Sequence, residues 1–461
     1  KEININGIDK IPLNELLSAL MLLGETVQDI ANSIVEKESV TEEENRTSSN
    51  IFELGINILR VHNDLHQDIM RLVNDPILIL EGDAGVGKSH LMADTVQRRQ
   101  KENLFSLFFL GQKFVTDEEP FTQIMRMLSF SSSSEELLET LEAKAESTGH
   151  RIIIFIDAIN EGHGLAIWQS NIRSFIDKIR QHPWLGLVLS IRTSYQPAIL
   201  PWEEFGNDYC VWARHYGFGA NTQKAVQLYF KEYGILYPSV PLLNPEFKNP
   251  LFLHLFCEGM KNNGYKKIPD GVKGITSIMN LFFDGIEKSL RKAKHYSPSI
   301  KCVDKTVHKY IEFTAKEGRH EMPIDTAIEI FSDIYPRVFT EGELLDCLIS
   351  EGVFSKNVFY NTVDKYEECI YFTYERFENF LQAEYLIDKL QFDDKALEEY
   401  VLTIKSPYIV GGLLESLAIL LPERKGIELY DSLPNFHSNK AIINAVLSSL
   451  IWREERTIDS H

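Results

Sequence analysis

The chain has 461 residues, with 44% hydrophobic and 25% charged side chains, ordinary globular values that leave room for two to four compact units. Forty-seven Lys and Arg face 67 Asp and Glu, a formal net charge of −20, and an acidic chain is repelled by phosphate backbones, which disfavours direct nucleic-acid binding by this portion. The five cysteines (Cys210, Cys257, Cys302, Cys347, Cys369) stand far apart without a CxxC pair, and the 13 histidines form no HExxH set. Neither a disulfide framework nor a zinc site is expected, and free thiols suit a cytoplasmic protein. No apolar stretch approaches a membrane span, and Leu16–Leu23 resembles a signal segment in length only.

In chain order, residues 12–35 predict an amphipathic helix. Leu13, Leu16, Leu17 and Leu20 form one stripe, which Leu23, Val27, Ile30 and Ile34 extend. The polar run Thr41–Asn50 predicts a mobile linker, followed by a second helix over about Ile51–Leu72. From Pro76 to about Gly217, strands alternate with helices: Ile77–Leu80, Leu104–Leu110, Arg151–Ile156, Leu185–Ser190 and Asp208–Trp212. Apolar runs such as Ile152–Ile156 suit strands covered on both faces, so the fold class is α/β with a parallel sheet. Ser133 with Glu136 predicts a capping box for the helix before the third strand.

Beyond Gly217 the pattern turns helical: Asn221–Tyr233, Pro250–Lys261 and Ile275–Ala293. Helices from Lys301, short strands around Val353-Phe354 and Ile370–Thr373, and a helix from Glu375 suggest a winged-helix unit. The tail from Tyr408 reads as helix pairs broken at Gly411-Gly412, Pro422 and Pro434. The expected units are an N-terminal helical linker region (1–73), a P-loop NTPase domain (74–217), a small helical domain (218–300), a winged-helix domain (301–392) and a helical tail (393–461).

The stretch Gly82, Asp83, Ala84, Gly85, Val86, Gly87, Lys88, Ser89 follows a predicted strand and opens a predicted helix. That is GxxxxGK[ST] in the context a phosphate-binding loop requires. Its glycines let backbone N–H groups converge on phosphate oxygens at a positive helix end. Lys88 can reach the β- and γ-phosphates, and Ser89 can offer its hydroxyl to Mg²⁺. His90 is a further candidate contact, weighed against simple packing on the first helix turn.

Asp157 ends the apolar strand Ile154-Phe155-Ile156 at the sheet edge where ligands bind, opposite Ser89 as a second Mg²⁺ partner. Glu161 is the candidate for positioning the attacking water, against a solvated loop acid. Arg192, ending Leu187–Ile191, is the candidate phosphate sensor, against a salt bridge to a neighbouring acid. Asn249-Pro250 places proline at a helix first turn, by itself only a helix start.

Together, GDAGVGKS at 82–89, FLGQKF at 109–114, IFIDAINEG at 154–162, LSIRTSY at 189–195, NPLFLHLFC at 249–257 and FTYERFENFLQAEYL at 372–386 resemble the STAND signalling ATPases. The likeness is to the NACHT-like modules of bacterial antiviral STAND (Avs) proteins, and LLPERKGIEL at 420–429 and SSLIWRE at 448–454 extend it. The resemblance implies ATP or ADP with Mg²⁺, Pro250 near the adenine, Asp157 on the metal, Glu161 in hydrolysis and Arg192 on phosphate. It also implies a homo-oligomer, a tetramer or larger ring, that assembles on ATP-driven opening. The trigger would be a phage protein read by a sensor outside this chain, and the output an attached effector of a kind that can cut DNA.

Two departures qualify this. Asn160-Glu161 stands where the family usually has an acidic pair, which implies slow hydrolysis. Tyr374 stands where many relatives have a nucleotide-locking His, leaving Arg376 as a substitute phosphate contact. The chain begins with Lys, and residues 1–50 hold no catalytic constellation, so it reads as a switch from a longer protein. The alternative is an origin- or loader-type AAA+ ATPase acting on DNA through its winged helix. That reading needs a basic recognition helix, yet the candidate Glu341–Glu351 has four acids and no Lys or Arg. A metabolic kinase or transporter ATPase lacks a second substrate pocket or an ABC-type signature.

Overall fold

The computed structural model describes residues 10–36, 41–161, 164–238, 245–269, 274–361, 365–389, 397–398, 407–433, 440–450, 452–453 and 457. It opens with two antiparallel helices, α1 (Leu13–Val35) and α2 (Glu42–Leu65). Their pairing is fixed by Gly24 against Leu59, Gly55 against Val27, and the Ser48 hydroxyl donating to the Ala31 carbonyl. The expected linker at 41–50 is therefore corrected to helix. Thr41 Oγ1 accepts from the Glu44 N–H while the Glu44 carboxylate accepts from the Thr41 N–H, a capping box. Glu42, Glu43 and Glu44 then sit at the positive helix end, where acids are favourable. The polarity that reads as a linker is a helix start. α2 ends at Leu65, and a 3₁₀ turn (Asp68–Val73) leads to the first strand.

Five parallel strands follow: β1 (Ile77–Gly82), β2 (Ser106–Leu110), β3 (Ile152–Asp157), β4 (Leu185–Arg192) and β5 (Val211–Arg214). The helices between them are α3 (Lys88–Lys101), α4 (Pro120–Met127), α5 (Ser134–Thr148), α6 (Gly164–Arg180), α7 (Gln196–Ile199) and α8 (Trp202–Phe205). All five expected strands are present, and the Ser133–Glu136 capping box begins α5. Strand order, which spacing leaves open, is β2-β3-β4-β1-β5. β4 thus lies between the P-loop strand and the Asp157 strand, with Gly82 level with Arg192. Ile77, Ile79, Ile154, Ile156, Leu187 and Leu189 are buried along these strands, as apolar runs between two helical layers require.

A second core joins α9 (Thr222–Tyr233), α10 (Pro250–Asn262) and α11 (Gly274–Lys294) to the elements after them. These are α12 (Cys302–Glu317), β6 (Met322–Pro323), α13 (Ile324–Ser332), α14 (Glu343–Ser350), β7 (Phe354–Asn361), β8 (Lys365–Phe372) and α15 (Glu375–Lys389). The antiparallel sheet β6-β8-β7 with α12, α13 and α14 is a winged helix. Tail helices Pro407–Lys425, Leu429–Ser432 and Lys440–Ser449 complete the core. The expected breaks at Gly411-Gly412 and Pro422 are corrected, because Pro407–Lys425 runs through all three. Gly412 is small for packing: a Cβ there would lie 2.1 Å from Asn379 Nδ2 on α15. Pro422 sits in the last turn, where the helix is ending anyway. Pro434 lies outside the described residues.

All five cysteines are free, four of them buried. No helix among the described residues is long and apolar enough to cross a membrane.

The two adjacent tail glycines should respond oppositely to the same change. A Cβ at Gly411 meets nothing within 4 Å, so Gly411→Ala should stabilise by about 0.5–1 kcal/mol through helix propensity. Gly412→Ala should destabilise by about 1–3 kcal/mol through overpacking against Asn379. Urea unfolding midpoints of the two variants check this, and equal shifts would refute the packing account.

Candidate nucleotide site

β1 delivers the chain to Gly82, and the loop then turns through Gly85 (φ 74°) and Gly87 (φ 104°), left-handed backbone that side chains resist. At Gly82 and Gly85 the demand is also steric. A Cβ on Gly82 would lie 2.7 Å from the His215 carbonyl oxygen, and one on Gly85 2.8 Å from Leu251 Cβ. α3 begins at Lys88, so its free N–H groups point into the loop.

Lys88 is buried, and its Nζ donates to the carbonyl oxygens of Gly82 (2.7 Å) and Asp83 (3.0 Å). Burial, then the nearby Arg192 charge, lowers its pKa to about 8, against the pull of Asp157, Asp83 and Glu161. Ser89 and His90 are exposed on the first turn of α3 and line the cavity above the loop. His90 is thus an exposed member of the cavity lining. The Asp83 side chain is exposed, 3.8 Å from Arg214, and its carbonyl accepts from Lys88.

Asp157 is only 4% exposed. Its Oδ1 accepts from Ser190 Oγ at 2.5 Å, and that hydroxyl oxygen accepts from the Ala158 N–H at 2.7 Å. β4 thus fixes the Asp157 carboxylate from its neighbouring position in the sheet. Two residues on, Arg192 donates from Nη2 to Glu161 Oε1 (3.2 Å), while Nη1 lies 3.5 Å from Glu375 Oε2 at the start of α15. Asn160 Oδ1 accepts from the Arg192 backbone N–H at 3.1 Å. Tyr371 of β8 lies against the same guanidinium. Burial works against the Arg192 charge, but Glu375 and Glu161 more than offset it and hold the group protonated. The salt bridge is therefore observed, and it stands at the lining of the P-loop cavity.

Lys88, Ser89, Asp157, Glu161, Arg192 and Pro250 all line one cavity of about 1040 Å³, together with Ser355, Tyr371 and Thr373 of the winged helix. Pro250 is held there by its neighbours. Asn249 Oδ1 caps α10 by accepting from the Leu251 (3.0 Å) and Phe252 (3.3 Å) N–H groups, and Asn249 Nδ2 donates to the Ala84 carbonyl at 2.9 Å. The Leu251 N–H also reaches the Gly85 carbonyl at 3.3 Å. Asn249 is a positioning residue that the sequence reading passes over, although an Asn before Pro at a helix start is a capping signal.

His215 is the second omission. It follows β5, accepts from the Gly217 N–H at Nδ1 (3.0 Å), and lines the cavity beside Gly87. That bond leaves Nε2 as its donor. Burial and Lys88 lower its pKa and favour the neutral ring. A lone His after a short strand carries no signal in sequence.

Arg376 is placed elsewhere. Its guanidinium lies 2.9 Å from Glu246 and 3.0 Å from Glu415, over the Trp452 ring at 4.3 Å. It faces a separate cavity of about 550 Å³ behind the P-loop, which Asp83 and Tyr374 also line. The Tyr374 hydroxyl donates to Glu246. The expectation that Arg376 touches phosphate is therefore corrected, since two carboxylates already neutralise it outside the nucleotide cavity.

The donor set fits a triphosphate: N–H groups at a helix start, a buried ammonium and a guanidinium, in a cavity of nucleotide size. The Ser89 hydroxyl and Asp157 carboxylate are oxygen ligands of the kind Mg²⁺ takes. Among the described residues there is no group of three or more His, Cys, Asp or Glu that could hold a metal. This is an α/β P-loop NTPase fold.

No family model and no curated relative matches the chain. Among solved structures it is similar to Cdc6p from Pyrobaculum aerophilum, at 14% identity and a TM-score of 0.30, covering 77% of this chain and 98% of that one. It is similar to the Aeropyrum pernix ORC1 protein in complex with DNA, at 12% and 0.26, covering 68% and 88%. AMPPCP-bound DnaA from Aquifex aeolicus matches at 11% and 0.26, covering 63% and 86%. Likeness this distant concerns the fold alone, and no residue role is carried over from it.

Nucleotide affinity should depend on pH through Lys88. The ammonium is present below its pKa of about 8 and lost above it, whereas phosphate binding requires it. The dissociation constant should be flat from pH 6.5 to 7.5 and rise up to about tenfold per unit above pH 8, the slope of one proton taken up on binding. Titration with a fluorescent ATP analogue measures this. Lys88→Arg should flatten the profile, and the same slope in that variant would sink the assignment.

Proposed function

We propose that this chain is an ATP-gated conformational switch with slow hydrolysis, in which Arg192 reads the nucleotide. The observation that carries the reading is that one guanidinium holds both Glu161 beside β3 and Glu375 beside the winged helix, at the edge of the P-loop cavity. When bound, Mg-ATP supplies anionic phosphate oxygens and a hydrolysable bond. The P-loop N–H groups and Lys88 would hold the phosphates, and Ser89 and Asp157 would hold the ion. Arg192 exchanges carboxylate partners for the terminal phosphate, and Glu161, freed by that exchange, orients water. Asn160 adds no second carboxylate, which keeps turnover slow. Glu375 loses its cation in the same exchange, so the nucleotide-bound form favours separation of the winged helix from the sheet.

The output we favour is assembly into a homo-oligomer that acts on an attached effector after a target has been sensed. Its support is the ordered motif set of the STAND class, including the antiviral Avs proteins with their phage trigger. A second reading, a loader-type ATPase on DNA, draws support from the winged-helix topology itself and from the DNA named with one structure of similar fold. Charge weighs against it. α14, the recognition-helix position, carries Glu343 and Asp346 and no Lys or Arg; Glu343 pairs with Lys294, and Lys356 of the wing lies 3.8 Å from Asp346. Phosphate contacts supply most DNA affinity, and this helix offers none.

Glu375→Gln should loosen the closed form and tighten ATP binding about tenfold, equivalent to roughly 1.4 kcal/mol of latch energy. Arg192→Ala should instead retain binding and lose any ATP-dependent change in mass. Calorimetric titration and sedimentation with and without ATP measure both, and unchanged behaviour in both variants overturns the switch. Submicromolar binding of duplex DNA at physiological salt would hand the output to the loader reading.

A further inference from the structure

We propose that the α1–α2 hairpin is a self-association surface through which two copies of this chain pack hairpin to hairpin as a four-helix bundle. The hairpin uses one face of each helix internally. Gly24, Val27 and Ala31 of α1 are buried against α2, and Ser48 and Gly55 of α2 against α1, small residues that let the axes approach. The two helices pack chiefly on each other. A tie to the sheet domain is the reciprocal pair of bonds between the Ile11 backbone and the Asn74 side chain, both 2.8 Å.

Large apolar side chains remain outside this seam: Met21, Leu22, Phe52 and Ile56 stand on other flanks, and one flank carries a regularly spaced stripe. On α1, Leu16, Leu23 and Ile30 recur every seventh residue at 39, 49 and 47% exposure. On α2, Leu54 and Val61 do the same at 53 and 49%. Seven-residue recurrence is the pattern of a stripe that meets another helix. At about 100° per residue, Leu23 lies roughly 100° round from Gly24, and Leu54 roughly 100° round from Gly55 in the same sense. Because the helices are antiparallel, those two flanks form one face.

Three arguments commit this face to a second copy. The first is area. α1 spans 23 residues, so the hairpin is about 35 Å long and, at about 10 Å per helix, about 20 Å wide. The resulting face of about 700 Å² approaches the roughly 800 Å² per partner of a standard interface. The second is charge. The exposed residues on this face are the uncharged Ala19, Thr26, Thr47, Asn50 and Asn57, with one acid, Glu43, at the start of α2, so a chain of net charge −20 meets itself here with little like-charge repulsion. The third is symmetry: the stripes lie on both helices of one hairpin, so each copy offers the other what it needs, as an isologous contact demands.

Sedimentation equilibrium of the full chain without nucleotide tests this. The wild type should reach twice the 53.0 kDa of one chain at micromolar concentration. Leu16→Glu/Leu23→Glu/Ile30→Glu should halve that mass, and Leu54→Glu/Val61→Glu should do so independently, since both helices contribute. Leu22→Glu, 66% exposed on the outer side of α1, should leave the dimer intact. Unchanged far-UV circular dichroism and ATP-analogue binding show that the variants fold. A monomeric wild type at 100 μM overturns the proposal, as does a dimer that survives both variants or a hairpin that associates only with a flanking segment. Because the measurement omits ATP, its failure leaves the nucleotide switch standing, and failure of the switch leaves this contact standing.

Discussion

A guanidinium partly withdrawn from water needs anions around it, and Arg192, with its side chain 22% exposed, takes two. The cation sits at the end of the strand between the P-loop strand and the Asp157 strand, and its two carboxylates come from the segment after β3 and from the start of α15. Leaving a charge of this kind unpaired in a low-dielectric site costs several kcal/mol. The winged-helix unit is therefore tied to the sheet domain by ion pairs at Arg192. The tie extends inward along α15, because Glu378, one turn beyond Glu375, is buried 3.1 Å from His320. Burial alone would strip the His320 proton, but Glu378 holds its pKa above the ordinary value. The joint between the two bodies is thus a charge network around one cation.

The P-loop is also gripped from the far side. Asn249 and Leu251 reach its Ala84 and Gly85 carbonyls from the first turn of α10, so the loop's conformation and the position of the following helices are one variable. Behind the loop, Tyr374 and Arg376 converge on Glu246, and Arg376 also meets Glu415 in the tail. Glu246 lies three residues before Asn249, so the grip on the loop is connected to α15 and the tail helices through paired charges. Two sets of contacts thus join the P-loop region to the distal core, one through Arg192 and one through Asn249.

Some of this was legible in the sequence for local reasons. The P-loop, the five strands and the α5 cap depend on neighbouring residues, and Gly85 and Gly87 are informative because few residues tolerate their backbone. The Thr41–Glu44 capping box was equally local, but a run of acids and hydroxyls reads as a linker until its reciprocal bonds are seen. At Arg192 the salt bridge is what the fold shows, to Glu161 and Glu375, and both acids are remote enough in the chain that no local pattern pairs them with it. Arg376 misled because its neutralising acids, Glu246 and Glu415, are remote in the chain. His215 was silent because a single imidazole has meaning only through what surrounds it.

The sequence by itself determined that a triphosphate-binding loop opens an α/β domain and that helices and a small antiparallel sheet follow. Those features follow from hydrophobic periodicity and backbone allowance, which act over a few residues. Only the tertiary structure decided that β4 enters between β1 and β3, that Arg192 spans two bodies, and that α1 and α2 bury one face each while leaving another exposed. Strand order and charge pairing are set by which distant segments can share a core and neutralise one another, and no local spacing encodes that.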